Sequence, residues 1–209
     1  MSPRPRSFEV EEVLDAAMGT FWDNGYADTS AQDLVDSTGL GRGSLYNTFT
    51  SKNGLFEAVL GRYRAEYTTR LVASLEEGES PARERIRAVL LGVVAEEAAG
   101  ASGRRGCLVV NSAMELGGRD ERITELVREN VARIEAALVA CVEQGHRDGS
   151  IEPEREPRAF ARYLLNALYG LRVLGRVADR QTLLDVVEQT LPPRPAGPET
   201  APETGPEER

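Results

Sequence analysis

The sequence predicts an all-α fold, and three observations carry that prediction. Apolar residues recur at 3.6-residue spacing through nearly the whole chain. No segment shows the two-residue alternation of a half-buried strand, and hairpin dipeptides flanked by β-branched runs are missing. Helix start and stop residues punctuate the periodic stretches. The composition fits a globular chain: 209 residues, 41% hydrophobic and 28% charged, suit one large domain or two small ones.

The elements follow in order. Val10, Val13, Leu14, Ala17, Met18 and Phe21 form one helical stripe, and Asn24-Gly25 stops it. Ser30 with Asp33 reads as a capping box opening a short helix to about Ser37. Thr38-Gly39-Leu40-Gly41 is a tight turn, and a third short helix runs over about 42–49 with Leu45 and Phe49 on its buried side. Ser51-Lys52-Asn53 restarts the chain into a long fourth helix, to about Glu77, with a domain boundary near Tyr63–Tyr67. Ser80-Pro81 opens the next helix. Residues 105–116 read as strand or helix, and the helical surroundings favour helix. A long helix is expected over 120–144, then helices over about 157–174 and 179–191. Residues 192–209 hold six of the eleven prolines and predict a disordered Pro/Glu-rich tail.

Composition excludes several functions. No run approaches 18 apolar residues, and Met1 to Ser7 lead into Glu9, Glu11 and Glu12 rather than an apolar segment, so a cytoplasmic address is expected. Cys107, Cys141 and His146 make neither a disulfide framework nor a metal cluster; no metal and no cofactor are expected. Neither a Ser/His/Asp set nor a glycine-rich phosphate loop is present, so no catalytic residue is assigned.

Two short helices about a glycine turn have the dimensions of a helix-turn-helix. Gly41, Arg42, Gly43 and Ser44 let the second helix approach a groove closely, while Tyr46 and Asn47 project groups suited to phosphates or base edges. The net charge of −9 argues against nucleic acid only if it is evenly spread. Residues 9–36 carry eight acids and no base, whereas 37–54 carry Arg42 and Lys52 and no acid. Arg4 and Arg6 precede the first helix, where an arm could reach a groove.

The run Ala16-Ala17, Phe21, Gly25-Tyr26, Thr29-Ser30, Thr38-Gly39, Gly43-Ser44-Leu45-Tyr46, Phe49, Ser51-Lys52 and Leu55-Phe56 resembles the TetR family of bacterial transcriptional repressors. A Gly-Cys-Leu segment at 106–108 adds to the likeness. The resemblance implies a homodimeric repressor of a palindromic double-stranded DNA operator, released by a small-molecule inducer. It implies a DNA-binding domain over 1–62 and a ligand-binding and dimerisation domain over 63–191. By position, Arg42 to Asn47 should enter the major groove, with Thr29, Ser30, Tyr46 and Lys52 on phosphates. Asn47 and Thr48 depart from the residues frequent in the family, which leaves the operator sequence open.

An inducer pocket is expected in the C-terminal domain, with Tyr63, Tyr67, Cys107, Asn111, Met114, Phe160 and Tyr163 as candidate linings. The two last helices carry more apolar surface than one hairpin needs. Leu164, Leu168, Leu171, Leu183 and Val187 are therefore the candidate dimer interface, a four-helix arrangement by two-fold symmetry. Two alternatives stand beside the repressor. One is a redox or electrophile sensor in which Arg104 or Arg105 activates the Cys107 thiol; packing as a small hydrophobe is its structural counterpart. The other is an all-α carrier or enzyme with a vestigial helix-turn-helix.

Overall fold

The computed structural model describes residues 10–99 and 105–192. The Arg4/Arg6 arm, Arg104 and all but Pro192 of the proline-rich tail lie outside the described residues. Among those described, every regular element is helical. Helices α1 (Val10–Asn24), α2 (Ala31–Thr38), α3 (Arg42–Phe49) and α4 (Lys52–Tyr63) form the N-terminal part. A π-helical turn (Arg64–Thr68) joins α4 to α5 (Thr69–Glu76). Then come α6 (Ala82–Ala98), α7 (Leu108–Leu116), α8 (Glu121–Arg147), α9 (Pro157–Leu174) and α10 (Arg180–Thr190).

Local chemistry sets most ends. Ser30 accepts the Asp33 amide while the Asp33 carboxylate accepts the Ser30 amide, so the predicted capping box is complete. Gly39 ends α2 in the left-handed region at φ 67°. Carboxylates of Asp120, Glu156 and Asp179 cap α8, α9 and α10 by accepting first-turn amides.

Several boundaries moved. The long helix over 52–77 is one rod with a π-helical turn inside it, at the position of the expected domain boundary. Residues 105–116 resolve to a helix from Leu108. Pro81 is itself the N-cap of α6 rather than its first residue. Helix α8 does not stop at Gln144: Gly145 is a buried helical residue where a Cβ would sit 2.5 Å from Ile151 Cδ1. His146 is consequently a half-buried residue of the last turn.

Two apolar cores form. The larger gathers α5, α6, α9, α10 and the C-terminal half of α8 around Ile86, Leu90, Leu138 and Leu171. The other holds Phe21, Leu34, Leu45 and Phe56 of α1–α4, each at most 1% exposed. Burying a side chain of that size contributes about 1.5–3 kcal/mol. This second core does not end at residue 62. It continues into Leu108 and Val109 of α7 and Ile123 and Leu126 of α8. The N-terminal helices therefore rest on a platform made by the C-terminal part.

Candidate nucleic-acid interface and the cavity behind it

Leu34 and Leu45, both fully buried, fasten α2 and α3 to α1 and α4 and turn their other faces outward. Arg42, Gly43, Ser44 and Asn47 are exposed along α3, and Tyr46 is half-buried beside them. Ser30 is exposed at the start of α2. Lys52 is half-buried at the start of α4. Its ammonium sits 4.5 Å from the Tyr26 ring centroid and donates to the Ala27 carbonyl at 3.4 Å. Burial lowers its pKa, against the pull of Glu115, Asp28 and Asp33.

Thr29 departs from the expectation. It is 1% exposed and its hydroxyl donates to the Gly25 carbonyl at 2.6 Å, so it braces the turn before α2 instead of facing a phosphate. The sequence pattern also left unread how α3 is aimed. Thr50 takes φ 69°, and the Ser51 amide donates to the Phe49 carbonyl at 2.7 Å, a γ-turn. A Cβ on Gly54 would lie 2.2 Å from that same carbonyl oxygen. Glycine at 54, spaced five residues after Phe49, is the sequence signal for this tight junction.

Polar contacts tie the N-terminal helices to their platform. The Tyr26 amide donates to Glu115 Oε2 at 2.7 Å, Arg105 pairs with Asp23 at 2.7 Å, and Arg64 pairs with Glu129 at 2.8 Å. Gly25, at φ 82°, leaves room for the Glu115 carboxylate, which a Cβ would meet at 2.3 Å.

Behind this platform lies a cavity of about 210 Å³. Tyr63, Tyr67 and Cys107 line it. Thr68, Val93, Asn130, Leu168, Tyr169 and Arg172 are further wall residues that the sequence did not single out. Asn111, Met114, Phe160 and Tyr163 are elsewhere. Asn111 is held by the Arg105 carbonyl and by Arg176, Met114 is 81% exposed, and Phe160 stacks on the half-exposed Tyr163. Helical spacing alone does not say which face of α7 or α9 meets a void.

The cavity wall is continuous with the reading head. Tyr63 and Tyr67 stack at 4.7 Å, and Trp22 of α1 packs edge-on against them at 5.3 and 5.5 Å. Trp22 also donates to the Gly106 carbonyl at 3.1 Å. The Tyr63 hydroxyl donates to Cys107 Sγ at 3.3 Å, and burial together with that sulfur pushes the phenol pKa up. Cys107 is thus a buried packing residue, and Arg105 is engaged by Asp23 rather than by the thiol.

Deep in the wall, Arg172 holds Glu96 at 2.6 Å and Glu97 at 3.1 Å. Burial lowers its pKa, but Glu96, Tyr63 and Cys107 together outweigh that and raise it. Thr68 donates to Asn130 at 2.7 Å. The Tyr169 hydroxyl is buried with no hydrogen-bond partner of normal geometry. Burial, with Cys107, pushes its pKa up to about 12, and the nearby Asn130 opposes the rise.

The five expected interface residues also need correcting. Leu164, Leu168, Leu171, Leu183 and Val187 are each at most 3% exposed within one chain. Their excess of apolar surface is absorbed by the larger core, since α9 and α10 pack on α6 and α8. Among the described residues no group of His, Cys, Asp and Glu could hold a metal, and no helix is long and apolar enough to cross a membrane.

A helix-turn-helix head seated on an all-helical, cavity-bearing body defines a ligand-responsive DNA-binding regulator. Comparison with known proteins gives the family. Residues 13–59 match "Bacterial regulatory proteins, tetR family", and 82–191 match "Tetracyclin repressor-like, C-terminal domain". The chain belongs to the TetR family of transcriptional regulators. It is 30% identical over 189 residues to the HTH-type transcriptional repressor ComR of Escherichia coli (strain K12), covering 90% of each chain. It is 24% identical to the repressor DhaR of Mycobacterium sp. (strain GP1), covering 84% of this chain and 86% of that one. Among solved structures, a cysteine mutant of the TetR family regulator CifR complexed with 26-base-pair operator DNA superposes with a TM-score of 0.80. That match is 29% identical and covers 92% of this chain and all of the other.

Proposed function

We propose that this chain is a cytoplasmic, homodimeric repressor that reads a palindromic operator with α3 and releases it when a small molecule fills the cavity. Its role is regulatory rather than catalytic. Arg42 reads a guanine edge, Ser44 and Asn47 sit over neighbouring bases, and Ser30, Tyr46 and Lys52 hold phosphates. Gly43 keeps the backbone close to the groove floor. Two-fold pairing through the outward faces of α9 and α10, where Tyr163, Val173 and Leu174 of α9 are exposed, spaces the two α3 helices about 34–36 Å apart.

The observation that carries the release step is the shared wall: Tyr63 and Tyr67 line the cavity and pack on Trp22 of α1. A ligand pressing on that pair shifts α1 and α4 together, and α3 moves with them. The ligand must bind the released arrangement more tightly, and a coupling of about 1–3 kcal/mol is the usual size.

The test is selection of DNA from a random pool by purified protein at two salt concentrations. A palindromic motif is expected. Arg42→Ala should weaken binding to it by about 1–3 kcal/mol and relax one position, whereas Lys52→Ala should weaken all sequences alike and flatten the salt dependence. No motif at low salt would refute the reading.

A further inference from the structure

The charged groups around the cavity already have partners inside the protein. Arg172, with its side chain 14% exposed, holds Glu96 and Glu97, and the Glu97 side chain is 5% exposed. Arg70, on the rim, pairs with Glu66 at 3.3 Å. An anionic guest would have to displace a carboxylate from Arg172, and a cationic one would have to compete with Arg172 for it. Separating Arg172 from Glu97 leaves a buried charge without its partner, which is strongly unfavourable.

Two further polar wall groups are committed to neighbours in the wall. The Thr68 hydroxyl donates to Asn130 Oδ1, and the Tyr63 hydroxyl donates to Cys107 Sγ. The Tyr169 hydroxyl is buried beside the Asn130 side chain, and its own proton is donated to no group. At any physiological pH it is a protonated phenol, because burial holds its pKa up at about 12. It therefore offers a donor and lacks an acceptor. The same cavity is lined by the stacked Tyr63 and Tyr67 rings and the aliphatic side chains of Val89, Val93 and Leu168. The space, 210 Å³, equals that of about seven liquid waters and suits a single-ring molecule.

We infer that the cavity takes an uncharged, flat aromatic molecule bearing one hydrogen-bond acceptor, recognised by the Tyr169 hydroxyl. This rests on reading the cavity as the inducer site. Trp22 is the chain's one tryptophan and touches two wall residues, so its fluorescence reports occupancy.

The experiment titrates the full chain with acetophenone, benzoate, benzylammonium and ethylbenzene, following Trp22 emission. Acetophenone is expected to saturate, at least about tenfold more tightly than benzoate or benzylammonium. Tyr169→Phe should weaken acetophenone about three- to tenfold, the size of one neutral hydrogen bond, and leave ethylbenzene unchanged. Equal or tighter binding of either ion, no saturable change with any probe, or an unaltered acetophenone affinity in Tyr169→Phe would each overturn the inference. The probe ranking in the unmutated chain stands as a test even if Tyr169→Phe folds poorly. A separate titration of the selected operator keeps the two readings apart. Acetophenone binding that depends on Tyr169 yet leaves operator affinity unchanged would support this ligand class and refute the inducer role.

Discussion

Single residues fix the two ends of the account, the aim of α3 and the character of the cavity. Gly54 allows the chain to turn so tightly after α3 that a methyl group there would overlap the Phe49 carbonyl. Gly54→Ala should destabilise the protein by about 2 kcal/mol or more, lowering the unfolding midpoint by roughly 4–8 °C. An unchanged thermal melt would show that the junction relaxes freely. At the cavity, Arg172→Met should cost about 3–5 kcal/mol in urea unfolding, because it strands the buried Glu97 carboxylate. Adding Glu97→Gln should recover much of that loss; equal losses in the single and double variants would contradict it. The reading-head residues were legible because a helix-turn-helix demands particular types at particular spacing, as with Gly39, Leu45 and Phe49. Thr29 was not, since a hydroxyl that caps and one that faces DNA look alike in sequence. The cavity wall was half legible: aromatic residues on the shared rod announce themselves, but Asn130 and Tyr169 look like any other helical positions.

Elements carry the next layer. The rod from Lys52 to Glu76 was legible as one helix from its apolar stripe, but its π-helical turn was not, because one extra residue in a turn leaves the apolar pattern nearly intact. That turn carries Tyr67 and Thr68 into the cavity wall, so it joins the N-terminal helices to the body beside the cavity. Helix starts were more legible, since capping residues have local signatures. The starts of α9 and α10 are held by carboxylates. Backbone amides at Ala159 and Thr182 hold Glu156 and Asp179 below their ordinary pKa values of 4.5 and 3.8. A pKa lowered by folding stabilises the fold above the ordinary value, and the stabilisation is lost as pH falls through the folded value. The unfolding midpoint should therefore stay level from pH 7 to about 5 and drop below about 4.5. Glu156→Gln with Asp179→Asn should lower the plateau and make the acid drop shallower; a parallel curve would contradict the assignment.

At the scale of the whole molecule, the sequence supports a division at residue 62 that the packing crosses. The core around Phe21 and Phe56 takes in Leu108, Val109, Ile123 and Leu126, so the reading head is built onto α7 and α8 rather than hung from a linker. Such long-range sharing of a core is invisible to periodicity, which reports that a face is buried but not against what. The same blindness put Leu164 and Leu183 at an interface when the chain's own helices cover them. Sedimentation should nonetheless give a mass about twice 22.8 kDa at micromolar concentration; a monomer would leave one reading head per particle and remove the basis for operator spacing. The central claim, that two α3 helices held at a fixed separation read paired half-sites, is tested most directly by affinity for the selected palindrome against the same sequence with five base pairs inserted at its centre. Half a turn of DNA places the second half-site on the far face of the duplex. The account predicts a loss of at least about a hundredfold, down to the affinity of a single half-site. Equal binding to both sequences would contradict it.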